Sequence, residues 1–154
     1  MRKLILLMLM CLCAAPAMAQ MEALTIVGAG VQLDATNNST MTAFGGLNVY
    51  VSKNADLQVL NRTLYRWTNN EGKGGEVQSI ETYLISRKTV YHDWYVNLGS
   101  GLNVEIKDDA DQTRFAILAE VGRRLYTVDL FFGINVASVE GQKYKHAYLG
   151  LSLN

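Results

Sequence analysis

Beyond Gln20 the chain has no cysteine and no proline; Cys11, Cys13 and Pro16 all lie before it. Without cysteine there is no disulfide to staple the fold, no thiolate metal site and no thiol nucleophile. Without proline an open sheet loses one common way of blunting its edges, whereas a closed barrel has no edges to blunt. Long apolar runs are also missing. The only extended one, Leu4 to Ala15, is about 12 residues, too short for a membrane-spanning helix. Nor is there an excess of charge. Lys and Arg number 14 against 14 Asp and Glu, and leaving out Arg2 and Lys3 gives a net charge near −2. That balance offers no electrostatic footprint for nucleic acid.

What precedes Gln20 is a recognisable address. Arg2 and Lys3 lead into the apolar run, which ends at Ala17-Met18-Ala19. A basic start, a short apolar core and a small-x-small site predict a cleaved bacterial secretory signal peptide over residues 1–19, leaving residues 20–154 as one domain. Cys13 does not read as a lipidation site, because Leu12 stands where a small residue is expected.

Within that domain no amphipathic helix stands out, and period-2 alternation recurs. Trp94, Val96, Leu98, Ser100, Leu102, Val104 and Ile106 alternate with Tyr95, Asn97, Gly99, Gly101, Asn103 and Glu105. Val128, Leu130, Phe132, Ile134 and Val136 alternate with Asp129, Phe131, Gly133, Asn135 and Ala137. Similar segments at Ala23–Leu33, Thr42–Val51, Asp56–Asn69, Glu76–Arg87, Arg114–Gly122 and His146–Asn154 predict eight strands. Glu76–Arg87 is the least regular, since Glu81 shares parity with Val77, Tyr83 and Ile85, and a bulge would repair the phase.

The connections alternate in kind. Asp34–Ser39, Asn69–Gly75, Lys107–Gln112 and Ser138–Lys143 are longer and polar, with six acids; Lys53–Ala55, Arg87–Tyr91 and Gly122–Leu125 are short and carry Lys53, Arg87, Lys88, Arg123 and Arg124 with no acid. Longer loops outside and tight turns in the periplasm are the pattern of a transmembrane barrel.

Alternation alone does not say which face is inside. Two features favour a polar interior and an apolar wall facing lipid. Gly28, Gly30, Gly46, Gly99, Gly101, Gly133 and Gly150 all lie in the polar set, which suits a crowded lumen better than a solvated strand. Phe44, Tyr50, Tyr95, Phe131 and Tyr148 share that set and can lie over the glycines in a lumen just wide enough for side chains. The inward charges then need one another. Arg62, Arg66 and Arg114 are expected to face Asp93, Glu105, Glu120 and Asp129, with Glu105 opposite Arg114 across the Lys107–Gln112 hairpin; the alternative is that this last pair is solvated. Asp93, Glu120 and Asp129 at one end suggest either a cation site or, with Arg123 and Arg124 nearby, structural neutralisation. Tyr65, Trp67, Tyr83, Trp94, Tyr126 and Tyr144 fall near segment ends, as interfacial aromatic girdles would.

Taken together, Asp93–Ile106 with its paired glycines, Val128–Val136 and the closing Tyr148–Leu153 resemble the small eight-stranded outer-membrane β-barrels of Gram-negative bacteria, the class containing the OmpX and OmpA transmembrane domains. The resemblance implies an all-β, antiparallel up-and-down barrel in the outer membrane, in contact with lipid or lipopolysaccharide. The implied role is structural, adhesive or partner-docking, without cofactor or metal. Some barrels of this class act on lipid A, so His146 with Ser138 and Glu140 forms an alternative Ser–His–acid reading. A soluble lipocalin-like carrier, with the apolar set lining a cavity, is a third. Asp108-Asp109-Ala110-Asp111 lacks the glycine and distal glutamate of a calcium loop.

Overall fold

In a computed structural model of the chain the described residues are 22–33, 39–54, 57–70, 75–106, 112–139 and 142–153. The signal segment, the cores of the four longer connections and the Asp108–Asp111 run lie outside them. The eight strands are β1 (Ala23–Leu33), β2 (Ser39–Lys53), β3 (Gln58–Asn70), β4 (Gly75–Tyr91), β5 (Trp94–Ile106), β6 (Gln112–Leu125), β7 (Val128–Val139) and β8 (Gln142–Leu153). Each pairs antiparallel with its neighbour in sequence, and β1 pairs with β8 from Thr25↔Leu153 to Leu33↔Lys145, closing the barrel. Closure leaves no strand edge unpaired, which is how a fold without proline avoids edge-to-edge association.

The strands run 11 to 17 residues and take in several positions that read as turns. At the short-turn end two connections shrink to His92-Asp93 and Tyr126-Thr127. His92 and Tyr126 adopt φ of 45° and 56°, the left-handed geometry that a two-residue hairpin demands at its first position. Arg87, Lys88, Arg123 and Arg124 therefore belong to strands.

The bulge expected within Glu76–Arg87 is not there. β4 pairs continuously with β3 from Gln58↔Arg87 to Asn70↔Gly75, and its register with β5 shifts only between Thr89 and Tyr91. A second shift lies in β2 between Tyr50 and Ser52. The sequence pattern misled because the lumen is not purely polar: Tyr83 and Ile85 point inward beside Glu81 and Arg87, as do Leu24, Ile26, Leu60 and Leu64 from other strands.

Elsewhere alternation and orientation agree. Asn48, Arg62, Glu81, Asn97 and Asp129 are fully buried, while Leu98 is 60 % exposed, Ile117 57 % and Phe132 51 %. Among the described residues twenty-four large apolar side chains face outward. So much contiguous apolar surface is far more than a soluble monomer presents, and it matches a wall that meets hydrocarbon. A lipocalin-like cavity needs the same set inside. Of the expected girdle, Tyr65, Trp94 and Tyr126 do face outward and exposed, joined by Tyr91. Tyr83 is instead buried in the lumen, and Tyr144 lies under the guanidinium of Arg114, 4.1 Å from its ring centre.

Candidate functional site

The most elaborate chemistry in the described residues is the side-chain plug that fills the barrel. Its frame is a set of glycine–ring pairs. Gly28, Gly122, Gly133 and Gly150 sit directly across from Phe44, Tyr95, Tyr148 and Phe131 in the strand register. A Cβ at any of the four would collide with the facing ring. Each glycine thus opens the space into which its partner lies flat, a cross-strand packing unit that pins register. Gly122 reads as part of a turn in the sequence, and only its position in β6 reveals this role. Tyr148 is the centre of the ring cluster. It meets Phe44 and Phe131 edge-on, with centroids 5.5 and 6.4 Å apart, and stacks on His146 at 5.0 Å.

Four arginines and four carboxylates are buried on this frame: Arg62, Arg66, Arg87 and Arg114 with Glu81, Glu105, Glu120 and Asp129. The numbers match because a lone ion in such a place costs several kcal/mol, of order 3–5. Arg62 grips Glu120 with both terminal nitrogens, Nη2 at 3.0 Å from Oε2 and Nη1 closer to Oε1. Its Nε donates to Asn48 at 2.8 Å. Asn97 and Tyr148 donate to Glu120 at 2.6 and 2.8 Å, completing four donors on one carboxylate. An ionised carboxylate has about four acceptor sites, so none is left over. Glu81 is saturated in the same way, by Arg66 and Tyr83 at 2.8 Å, Asn103 at 2.6 Å and Asn135 at 3.5 Å. Arg87 donates to Asp129 at 3.0 Å and to Asn97 at 3.0 Å, and lies 3.9 Å over the Tyr95 ring. Asn97 thereby links the Asp129 and Glu120 clusters.

The structure places the expected residues unevenly. Arg62 meets Glu120, and Arg114 meets Glu105. The last pair is diagonal, because Glu105 is registered against Gln112 and Arg114 against Asn103. Arg66 pairs with Glu81 and Asp129 with Arg87, two partners absent from the sequence-based set. Asp93 is outside the network: β4 extends to Tyr91, so Asp93 sits exposed in the turn, where its carbonyl accepts the Arg124 N–H at 2.8 Å. That separates it from Glu120 and Asp129, and no cluster of three metal-ligating side chains occurs among the described residues. The signal for Glu81 and Arg87 was parity: residues 81, 83, 85 and 87 form one face.

The Ser–His–acid arrangement is not assembled by the residues described. His146 is buried, sharing a hydrogen bond of 2.7 Å with Thr42 Oγ1, while Ser138 lies exposed on the opposite face of the wall. Glu140 is outside the described residues. The gap bounded by Phe44, Leu64, Arg66, Glu81, Tyr83 and Tyr148 is too narrow for a water molecule.

Comparison with protein-family models and with curated proteins finds no match to the sequence. Solved structures do match. The outer membrane enzyme PagL superposes with a TM-score of 0.70 at 12 % identity, covering 86 % of this chain and 99 % of its own. Neisserial surface protein A (NspA) gives 0.61 at 12 % identity, covering 88 % and 97 %. Ail, the attachment invasion locus protein of Yersinia pestis, gives 0.58 at 10 % identity, covering 85 % and 96 %. At these identities the likeness is one of fold. The chain is an all-β, eight-stranded antiparallel barrel of the outer-membrane type.

Proposed function

We propose that the chain is an integral outer-membrane β-barrel of a Gram-negative envelope, exported by the residue 1–19 signal peptide. In this reading residues 20–154 form the barrel and its role is structural or partner-docking, not transport. The observation that carries this is the inversion of the wall: four neutralised Arg–carboxylate pairs inside and twenty-four exposed large apolar side chains outside. The lumen is filled by rings and ion pairs, which leaves free diffusion of solutes without a path. Contacts with the envelope then fall to the lipid-facing wall, in lipid or lipopolysaccharide, and to the connections at the long-loop end, where an envelope protein would dock.

Expression with the native signal, membrane fractionation and SDS-PAGE with and without boiling test the reading. The protein is expected in the outer-membrane fraction, with a mobility shift on heating. Release on osmotic shock without a shift would sink it.

The second reading is an enzyme acting on lipid A. It is favoured by the likeness to an outer membrane enzyme. His146 is the residue to test: acyl chains of lipid A that change on expression of the wild-type chain, and not of His146→Ala, would support it. An unchanged lipid A profile in both would remove it.

A further inference from the structure

The four buried arginines all have carboxylates, but two basic residues on the outer wall near the short-turn end do not. Lys88 on β4 and Arg123 on β6 both face outward, exposed, near the short-turn end. No described carboxylate lies within ion-pair distance of either. They flank β5 on either side: Lys88 is registered against Val96, and Arg123 against Trp94. Strands two apart are separated by about 10 Å and the two-residue offset along β5 adds about 7 Å lengthwise, a span of about 12 Å that two long, flexible stems close. Between them stands Trp94, 42 % exposed, with the Arg123 guanidinium 5.7 Å from its ring centre. Tyr91 and Tyr126 continue the aromatic rim. Towards the barrel's middle the same strip turns apolar through Val96, Val121 and Leu98. The nearest acid in sequence, Asp93, belongs to the turn beyond the strand end.

We propose that Lys88, Trp94 and Arg123 form a seat for one anionic glycerophospholipid on the short-turn side of the membrane. The two cations hold the phosphate-bearing headgroup, Trp94 sits at the glycerol level, and an acyl chain lies along Val96, Val121 and Leu98. The inference rests on the membrane reading above. Charge complementarity selects the occupant: a zwitterionic headgroup brings its own ammonium to two unpaired cations, and an anionic one does not. Snorkelling cations beside an amphipathic ring suit the headgroup layer, where hydrocarbon gives way to water.

The chain has two tryptophans, Trp67 and Trp94. Trp67→Phe therefore leaves Trp94 as the sole reporter. The full-length mature barrel carrying it is reconstituted in vesicles containing acyl-brominated phosphatidylglycerol or acyl-brominated phosphatidylcholine at graded mole fractions. Quenching of Trp94 then gives the relative affinity of the two headgroups at that site. The expected preference for phosphatidylglycerol is about fivefold, falling with added salt and collapsing to about onefold in Lys88→Gln/Arg123→Gln. Lys145→Gln, on the outer wall at the opposite end, should leave it unchanged. Each variant's heat-shifted mobility verifies that it is folded. Equal quenching by the two lipids in the parent, or an undiminished preference in the double variant, overturns the seat while leaving the membrane reading intact. Failure of both brominated lipids to quench Trp94 overturns both.

Discussion

The two surfaces of this barrel wall are built from the same strands and obey different rules. On the inner surface the buried arginines and carboxylates are matched to named partners: Glu120 takes four hydrogen bonds from Arg62, Asn97 and Tyr148, and each of four glycines is matched to one ring. On the outer surface Leu98, Ile117, Phe132 and Leu149 share no specific geometry beyond being apolar. Inside, identity and position matter together, because a low-dielectric bore leaves an unmatched group with no water to turn to. Outside, in the membrane reading, the solvent is hydrocarbon, and any side chain of the right polarity serves. Substitutions should separate the two regimes.

The largest effect is expected inside. Arg62→Met strands the Glu120 carboxylate and should cost about 3–5 kcal/mol. Adding Glu120→Leu to it should recover only part of that loss, since the stranded charge is gone but Asn97 and Tyr148 lose their acceptor. Urea unfolding of the barrel in lipid vesicles reads both values, and a double variant no more stable than the single would contradict the pairing. On the outer wall, near mid-strand, Ile117→Arg should cost about 2–4 kcal/mol while Ile117→Leu costs almost nothing, in the same assay. Next come the glycines. Gly150→Val drives a side chain into the Phe131 ring and should lose about 1–3 kcal/mol. Gly45 faces outward, and its nearest neighbour to an added Cβ is a backbone oxygen at 3.8 Å, so Gly45→Ala should be near neutral. Of the disruptive changes, the smallest effect belongs to the rim. Glu105→Gln should cost about 1–2 kcal/mol, because the glutamine oxygen can still accept from Arg114, which also keeps the Tyr144 ring and Gln112. A loss at Glu105 as large as at Arg62 would erase the distinction between bore and rim.

Strand count and closure were legible because most strands alternate with period 2, and the direction of inversion because glycines and rings share the polar face. Arg114 and Glu105 were within reach of inspection, as near neighbours across one hairpin. The remaining partnerships were not. Arg62 on β3 meets Glu120 on β6, and Arg87 on β4 meets Asp129 on β7, so both contacts span the bore. Their matching depends on barrel radius and strand stagger, quantities that no single strand encodes. Arg87 was hidden for another reason. A run of polar residues ending in Arg-Lys-Thr looks like a turn, and only pairing with β5 as far as Trp94 carries β4 past it.

The seam between first and last strands has a consequence for how such a chain matures. Glu120 draws its donors from β3, β5 and β8, so its shell is incomplete until the eighth strand docks. A seven-stranded sheet would carry two raw edges together with a partly undressed anion, and neither tolerates oil. In the membrane reading, closing the cylinder and shielding that anion from the bilayer are therefore coupled, with Tyr148 as one bolt in the lock.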